Sequence, residues 1–172
     1  MRAKIKGTCI AVVVMLSGCA AHVMTAAEKQ EGTTAITTTL DAQVQTWLMR
    51  DVKPMADTMA PDEDAVNVGT DENEIIAGKR IFVEGMQRAL AGFDKVSKAS
   101  ISNRRIFFSR DGCTAWTFAK WDIDAVAAGK PFAVKGMRVT TVLEKRDGKW
   151  LAVHTHASMG LPPQPAGNVG PQ

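Results

Sequence analysis

Two Asp-Gly pairs, Asp111-Gly112 and Asp147-Gly148, each lie between runs of β-branched and aromatic residues. A tight hairpin needs positive φ at its central positions, and Asp-Gly supplies them, so each pair predicts an antiparallel hairpin. The first joins a strand over 101–109 to one over 113–123, and the second joins 132–145 to 149–158. The second half of the chain is thereby committed to a β-meander of long strands, which excludes an all-helical or a parallel α/β fold. The stretch 124–130 reads as a longer connection ending at Pro131. Residues 161–172, which begin Leu-Pro-Pro-Gln-Pro, cannot continue a sheet and read as a disordered tail.

The first half is helical in pattern. Ile36, Leu40, Val44, Trp47 and Leu48 recur at three- and four-residue spacing, which predicts a helix that Pro54 ends or kinks. Residues 55–59 predict a short second turn, 64–69 a brief strand, and 75–77 a strand pairing back on it. Residues 79–91 are again helical, with Phe82, Val83, Met86, Ala89 and Leu90 apolar and Gly92 at the end. Helices first and a long antiparallel sheet last give an α+β domain over 36–160. On its last strand Trp150, Ala152, His154 and His156 point one way, and Leu151, Val153 and Thr155 the other. Helices at one end cover one sheet face fully, so the other is expected to meet a second subunit in a homodimer.

Charge bears on destination. The 172 residues carry 21 Lys and Arg against 18 Asp and Glu, a net of +3. Arg2, Lys4 and Lys6 account for that excess, and no acid precedes Glu28. A neutral body without a basic stripe is a poor match for nucleic acid, so no such partner is expected. Those three cations followed by the apolar run Ile10 to Leu16 form the pattern of a secretory signal over 1–18. It is the only long apolar run, which excludes a polytopic membrane protein. Three cysteines without a C-x-x-C pair exclude a structural zinc cluster, and Cys113, beside a turn, reads as structural.

Leu16-Ser17-Gly18-Cys19 resembles the lipobox of bacterial lipoprotein precursors. The resemblance implies cleavage before Cys19, acylation of its sulfur and new N-terminus, and a lipidated tether over 19–35. Several acyl chains anchor stably, because each buried methylene adds about 0.8 kcal/mol. Ala20 stands where inner-membrane lipoproteins of enteric bacteria tend to carry Asp, which points to the outer membrane, facing the periplasm. The alternative is a plain cleaved signal using Thr25-Ala26-Ala27, which releases a soluble periplasmic protein.

The order of elements, with Val66-Asn67-Val68-Gly69-Thr70-Asp71, Gly136-Met137-Arg138-Val139-Thr140 and the run from Arg146 through Ser158, resembles SnoaL-like proteins of the nuclear transport factor two-like (NTF2-like) superfamily. The last run is also similar to the association domain of calcium/calmodulin-dependent kinase. The resemblance covers about 36–160. It implies a cone-shaped α+β fold, a curved antiparallel sheet packed on an N-terminal helix with an open mouth. The superfamily holds isomerases, cyclases, dehydratases and members that only bind or dimerise, so fold fixes little about chemistry. The tyrosine that ketosteroid isomerase uses to stabilise its intermediate is excluded here, because the chain has no tyrosine.

His154 and His156 are expected to look into the cone, as a general base, a ligand anchor, or a hydrogen-bonded wall without a reaction. A metal site is not expected, because no third ligand stands at a diagnostic spacing. No cofactor is expected either. Arg138, inside an apolar run, needs a buried carboxylate or an anionic ligand as partner. Whether it joins the histidines depends on the turn. A two-residue loop pairs Lys145 with Trp150 and Val139 with His156, whereas a three-residue bulge places Arg138 opposite His156; the bulge is favoured. Trp47 and Trp121 read first as core and secondly as pocket walls. Two functions follow as expectations. One is a membrane-anchored periplasmic module that binds a small, partly apolar ligand, which can be anionic, or that serves assembly, with no assigned reaction. The other is an isomerase, cyclase or hydrolase with His154 or His156 as base and Arg138 positioning the substrate.

Overall fold

A computed structural model describes residues 23–160 apart from 62 and 64. Helix α1 spans Ala26–Met49, starting ten residues before the apolar spacing predicts. Thr25 sets that start. Its hydroxyl accepts from the Glu28 N–H at 3.3 Å, and the Glu28 carboxylate accepts from the Thr25 N–H at 2.8 Å. This reciprocal capping box satisfies two end groups at once. The expected tether is therefore helical from Ala26 onward; its residues 19–22, with Cys19, lie outside the described residues, as do the leader and the tail. Arg50 closes the helix in the left-handed region at φ 52° and donates its guanidinium to the Phe93 carbonyl.

Pro54 begins an element instead of ending one: it sits in the first turn of α2 (Lys53–Asp57), where a missing N–H costs nothing. The Met55 N–H of that turn donates 2.9 Å to the hydroxyl of Thr46, which is wholly buried in α1. Strands β1 (Val66–Val68) and β2 (Ile75–Ala77) form a short ribbon before α3 (Lys79–Ala91). Four long strands follow, β3 (Lys95–Phe108), β4 (Thr114–Ala127), β5 (Lys130–Arg146) and β6 (Lys149–Ser158). They are mutually antiparallel, as the hairpin signals require, while β1 joins β6 in parallel, so the six-stranded sheet is mixed with order β2-β1-β6-β5-β4-β3.

The connection expected over 124–130 is strand nearly throughout. Asp122 and Asp124 face one side while Ile123 and Ala125 are buried on the other, and a two-residue turn at Ala128 (φ 48°) and Gly129 (φ 73°) joins β4 to β5. Asp147 (φ 49°) and Gly148 (φ 78°) make the β5–β6 turn a two-residue loop, with Lys145 opposite Trp150. The favoured three-residue bulge is thus corrected at the turn. Further along, Leu143 pairs with Ala152 but Val142 pairs with His154, leaving Val153 as an extra residue. Comparable interruptions fall at Ser97 and Asn103–Arg104 of β3 and at Lys135–Gly136 of β5. Each bends its strand and increases its twist.

The sheet's concave face wraps α1. At one end Ile36 and Leu40 pack with Ala115, Leu143 and Trp150, and Phe108 lies edge-on to Trp150 at 5.7 Å. Gly32 allows this, since a Cβ there would stand 2.9 Å from the Phe108 ring. Cys113, after the β3–β4 turn, is disulfide-bonded.

Two buried threonines give opposite expectations. Thr46→Val leaves the Met55 N–H unpaired and is expected to cost about 1–2 kcal/mol in denaturant unfolding, with Thr46→Ser largely restoring it. Thr141 is also wholly buried, but its hydroxyl has no partner among the described residues. Thr141→Val is therefore expected to leave stability unchanged or raise it by up to about 1 kcal/mol.

Candidate functional site

The stripe of α1 that fills the closed end with Ile36 and Leu40 continues as Gln43 and Trp47, and there the layers diverge. The space left is a cavity of about 480 Å³, within the range of small-ligand sites. Trp121, Ile123 and Val139 line it from the sheet, Met55 from α2 and Met59 from just beyond that helix. Phe93 bridges Trp47 and Phe132, with ring centroids at 6.2 and 5.3 Å. Helix α3 lies across the remaining side with Phe82, Met86 and Ala89, an i, i+4, i+7 stripe facing hollow space. Met55, Met59, Met86 and Met137 give the walls flexible side chains that fit irregular apolar bodies.

Polar groups are few. Gln43 and Asn67 are buried at 4% and 9% exposure, and Thr155 stands beside Asn67 across the parallel pairing. Asp71 and Glu74 reach the rim from the β1–β2 turn, where the Glu74 carboxylate accepts from the Thr70 and Asp71 N–H groups at 2.8 and 3.1 Å. Among the described residues, none that lines the cavity is a Lys, Arg or His.

Trp47 and Trp121 stand where a pocket reading places them. His154, His156 and Arg138 do not. The extra residue Val153 reverses the phase of β6, so Trp150 and Ala152 face inward before it, and Thr155 and Ala157 after it. His154 and His156 therefore lie on the convex face, opposite Val142 and Thr140. The expectation that both imidazoles look into the cone is corrected. Arg138 shares that convex face, away from the cavity, opposite Ser158 and Lys120, and donates 2.9 Å to the Met159 carbonyl; among the described residues no buried carboxylate partners it. Asp122 accepts from the Gly136 N–H at 2.8 Å, and Asp124 pairs with Lys135 at 2.5 Å.

The amides of Gln43 and Asn67 escaped the sequence reading. The α3 stripe was visible there as apolar, but periodicity does not distinguish a helix packed on core from one packed on a void.

The model of the SnoaL-like domain matches residues 36–162. The chain belongs to the SnoaL-like family. Solved structures place this SnoaL-like domain in the NTF2-like fold. A provisionally assigned calcium/calmodulin-dependent protein kinase II association domain from Xanthomonas campestris is 27% identical, covers 72% of this chain and 84% of its own, and has a TM-score of 0.60. A provisionally assigned scytalone dehydratase from Novosphingobium aromaticivorans reaches 0.69 at 14% identity, covering 86% and 99%. An NTF2-like protein of unknown function from Shewanella oneidensis reaches 0.57 at 16% identity, covering 74% and 98%. The last two likenesses show the fold alone. No protein of curated function matches the sequence.

Gly85 lies mid-α3 on the cavity wall, and a Cβ there would meet only the Arg88 guanidinium, at 4.0 Å. Gly85→Ala is expected to raise stability by about 1 kcal/mol, since glycine is a poor interior helix residue. Gly85→Phe is expected to keep the fold, read by circular dichroism, while lowering uptake of an apolar fluorescent dye.

Proposed function

We propose that this SnoaL-like domain is a small-ligand-binding module of the bacterial cell envelope, acting without a reaction of its own. The observation that carries the reading is the cavity of about 480 Å³, walled by tryptophan, phenylalanine and methionine and, among the described residues, free of any basic side chain. Such a space holds an apolar body well; among the described residues it offers no imidazole or amine to move a proton, and its two carboxylates, Asp71 and Glu74, stand at the rim. The enzymatic alternative needed His154 or His156 beside Arg138 at the substrate, and all three lie on the other face of the sheet.

The convex face supports the homodimer. Phe107 and Trp116 stack at 5.8 Å with planes 14° apart, and they remain 43% and 44% exposed on a face that also carries Phe118 and Val142. A paired aromatic surface of this kind is what a second sheet covers.

Export rests on the charged n-region and apolar run of the leader. The proposed anchor is Cys19, and the outer membrane facing the periplasm is the proposed site. One sulfur cannot carry both a lipid thioether and a disulfide, which gives the anchor a sharp test. Peptide mass mapping of the mature protein is expected to find Cys19 N-terminal and acylated; a Cys19–Cys113 cross-linked peptide contradicts the anchor.

Native mass spectrometry of the full chain, purified from its envelope in mild detergent, tests binding and assembly together. A dimer carrying a small-molecule adduct is expected, with Trp116→Lys giving monomer and Gly85→Phe losing the adduct. A bare monomer contradicts both.

A further inference from the structure

We infer that the cavity selects uncharged ligands whose polar end is a carbonyl or hydroxyl, read by the side-chain amides of Gln43 and Asn67. The inference rests on the ligand-binding reading above and sharpens it.

Both amides are more than nine-tenths buried and both line the hollow. Gln43 makes one long contact, Nε2 to the Thr58 hydroxyl at 3.5 Å, and the Asn67 amide has no hydrogen bond among the described residues. Folded proteins leave few buried polar groups unpaired, because each forfeits its hydration without return. Here the Asn67 amide is left unbonded and the Gln43 amide keeps a single long bond, and both border one space, from β1 and from α1. A ligand that enters can supply what the fold withholds.

Charge then narrows the ligand. Among the described residues the only ionisable lining groups are the rim carboxylates Asp71 and Glu74, and Glu74 already accepts two backbone N–H groups. An anion would be desolvated with no cation to meet it. A cation drawn to Asp71 would sit at the rim and leave both amides unanswered. An uncharged group suits them, since a carboxamide donates to a carbonyl and accepts from a hydroxyl. The rings of Trp47, Trp121 and Phe93 favour a flat apolar body behind that group.

Three probes with one ring system separate the possibilities: 2-acetylnaphthalene, 2-ethylnaphthalene and naphthalene-2-carboxylate, titrated calorimetrically into the full chain at neutral pH. The ketone is expected to bind about tenfold tighter than the hydrocarbon, the ratio that one net hydrogen bond gives, with the carboxylate weakest. Asn67→Asp keeps the shape and removes the donor, and Asn67→Leu removes the polar group. In each the ketone's advantage is expected to disappear while the hydrocarbon still binds, which also shows that the variant is folded. Equal binding of ketone and hydrocarbon by the unaltered chain, or tightest binding of the carboxylate, overturns the inference and leaves the ligand-binding reading standing. Failure of all three probes to bind overturns both.

Discussion

Flat ladders cannot enclose a hollow. The long strands of this sheet bend around α1 because every ladder between them is interrupted, at Ser97 and Asn103–Arg104, at Lys135–Gly136 and at Val153. The backbone is held at these points by local bonds, such as the Ser97 hydroxyl to the Asp124 carbonyl and the Gly136 N–H to Asp122. Curvature makes the concave face deeper than one helix can fill. Ile36 and Leu40 close the narrow end, and beyond Gln43 the same helix stripe borders space. The cavity is thus a consequence of sheet shape, with α3 laid over it.

Val153 has the largest functional consequence. Side chains alternate strictly along a strand, so one extra residue exchanges the two faces beyond it. Without it, His154 and His156 would continue the inward set of Trp150 and Ala152. With it, Thr155 and Ala157 face the cavity and the imidazoles face out.

This explains which features were legible in the sequence. The Asp-Gly turns, the span of α3 and the family resemblance came from local chemistry that survives folding unchanged. The capping box at Thr25 and Glu28 was equally local, but it lies upstream of the apolar repeat and was passed over. The Ala128-Gly129 turn lacks the Asp or Asn that marks such turns, so the end of β4 reads as a loop in the sequence. The phase of β6 was not legible at all, because no residue type announces Val153 as a bulge. Gln43 and Asn67 belong with it: an amide on a helix stripe and one in a three-residue strand become a site only when curvature brings them to one space.

The hollow also has a stability cost, since its walls forgo contacts that a filled core makes. Glycine at position 85, the unbonded amide of Asn67 and the weakly bonded amide of Gln43 add to it, and all three border the same cavity. Diffraction from a crystal held under xenon gas tests that picture directly, because xenon settles in apolar space and scatters strongly. The expected map places xenon among Trp47, Trp121 and Met86, with the Thr155 side chain inside and both imidazoles outside. Side chains collapsed into that space, or the rings of His154 and His156 turned toward it, would contradict the central claim.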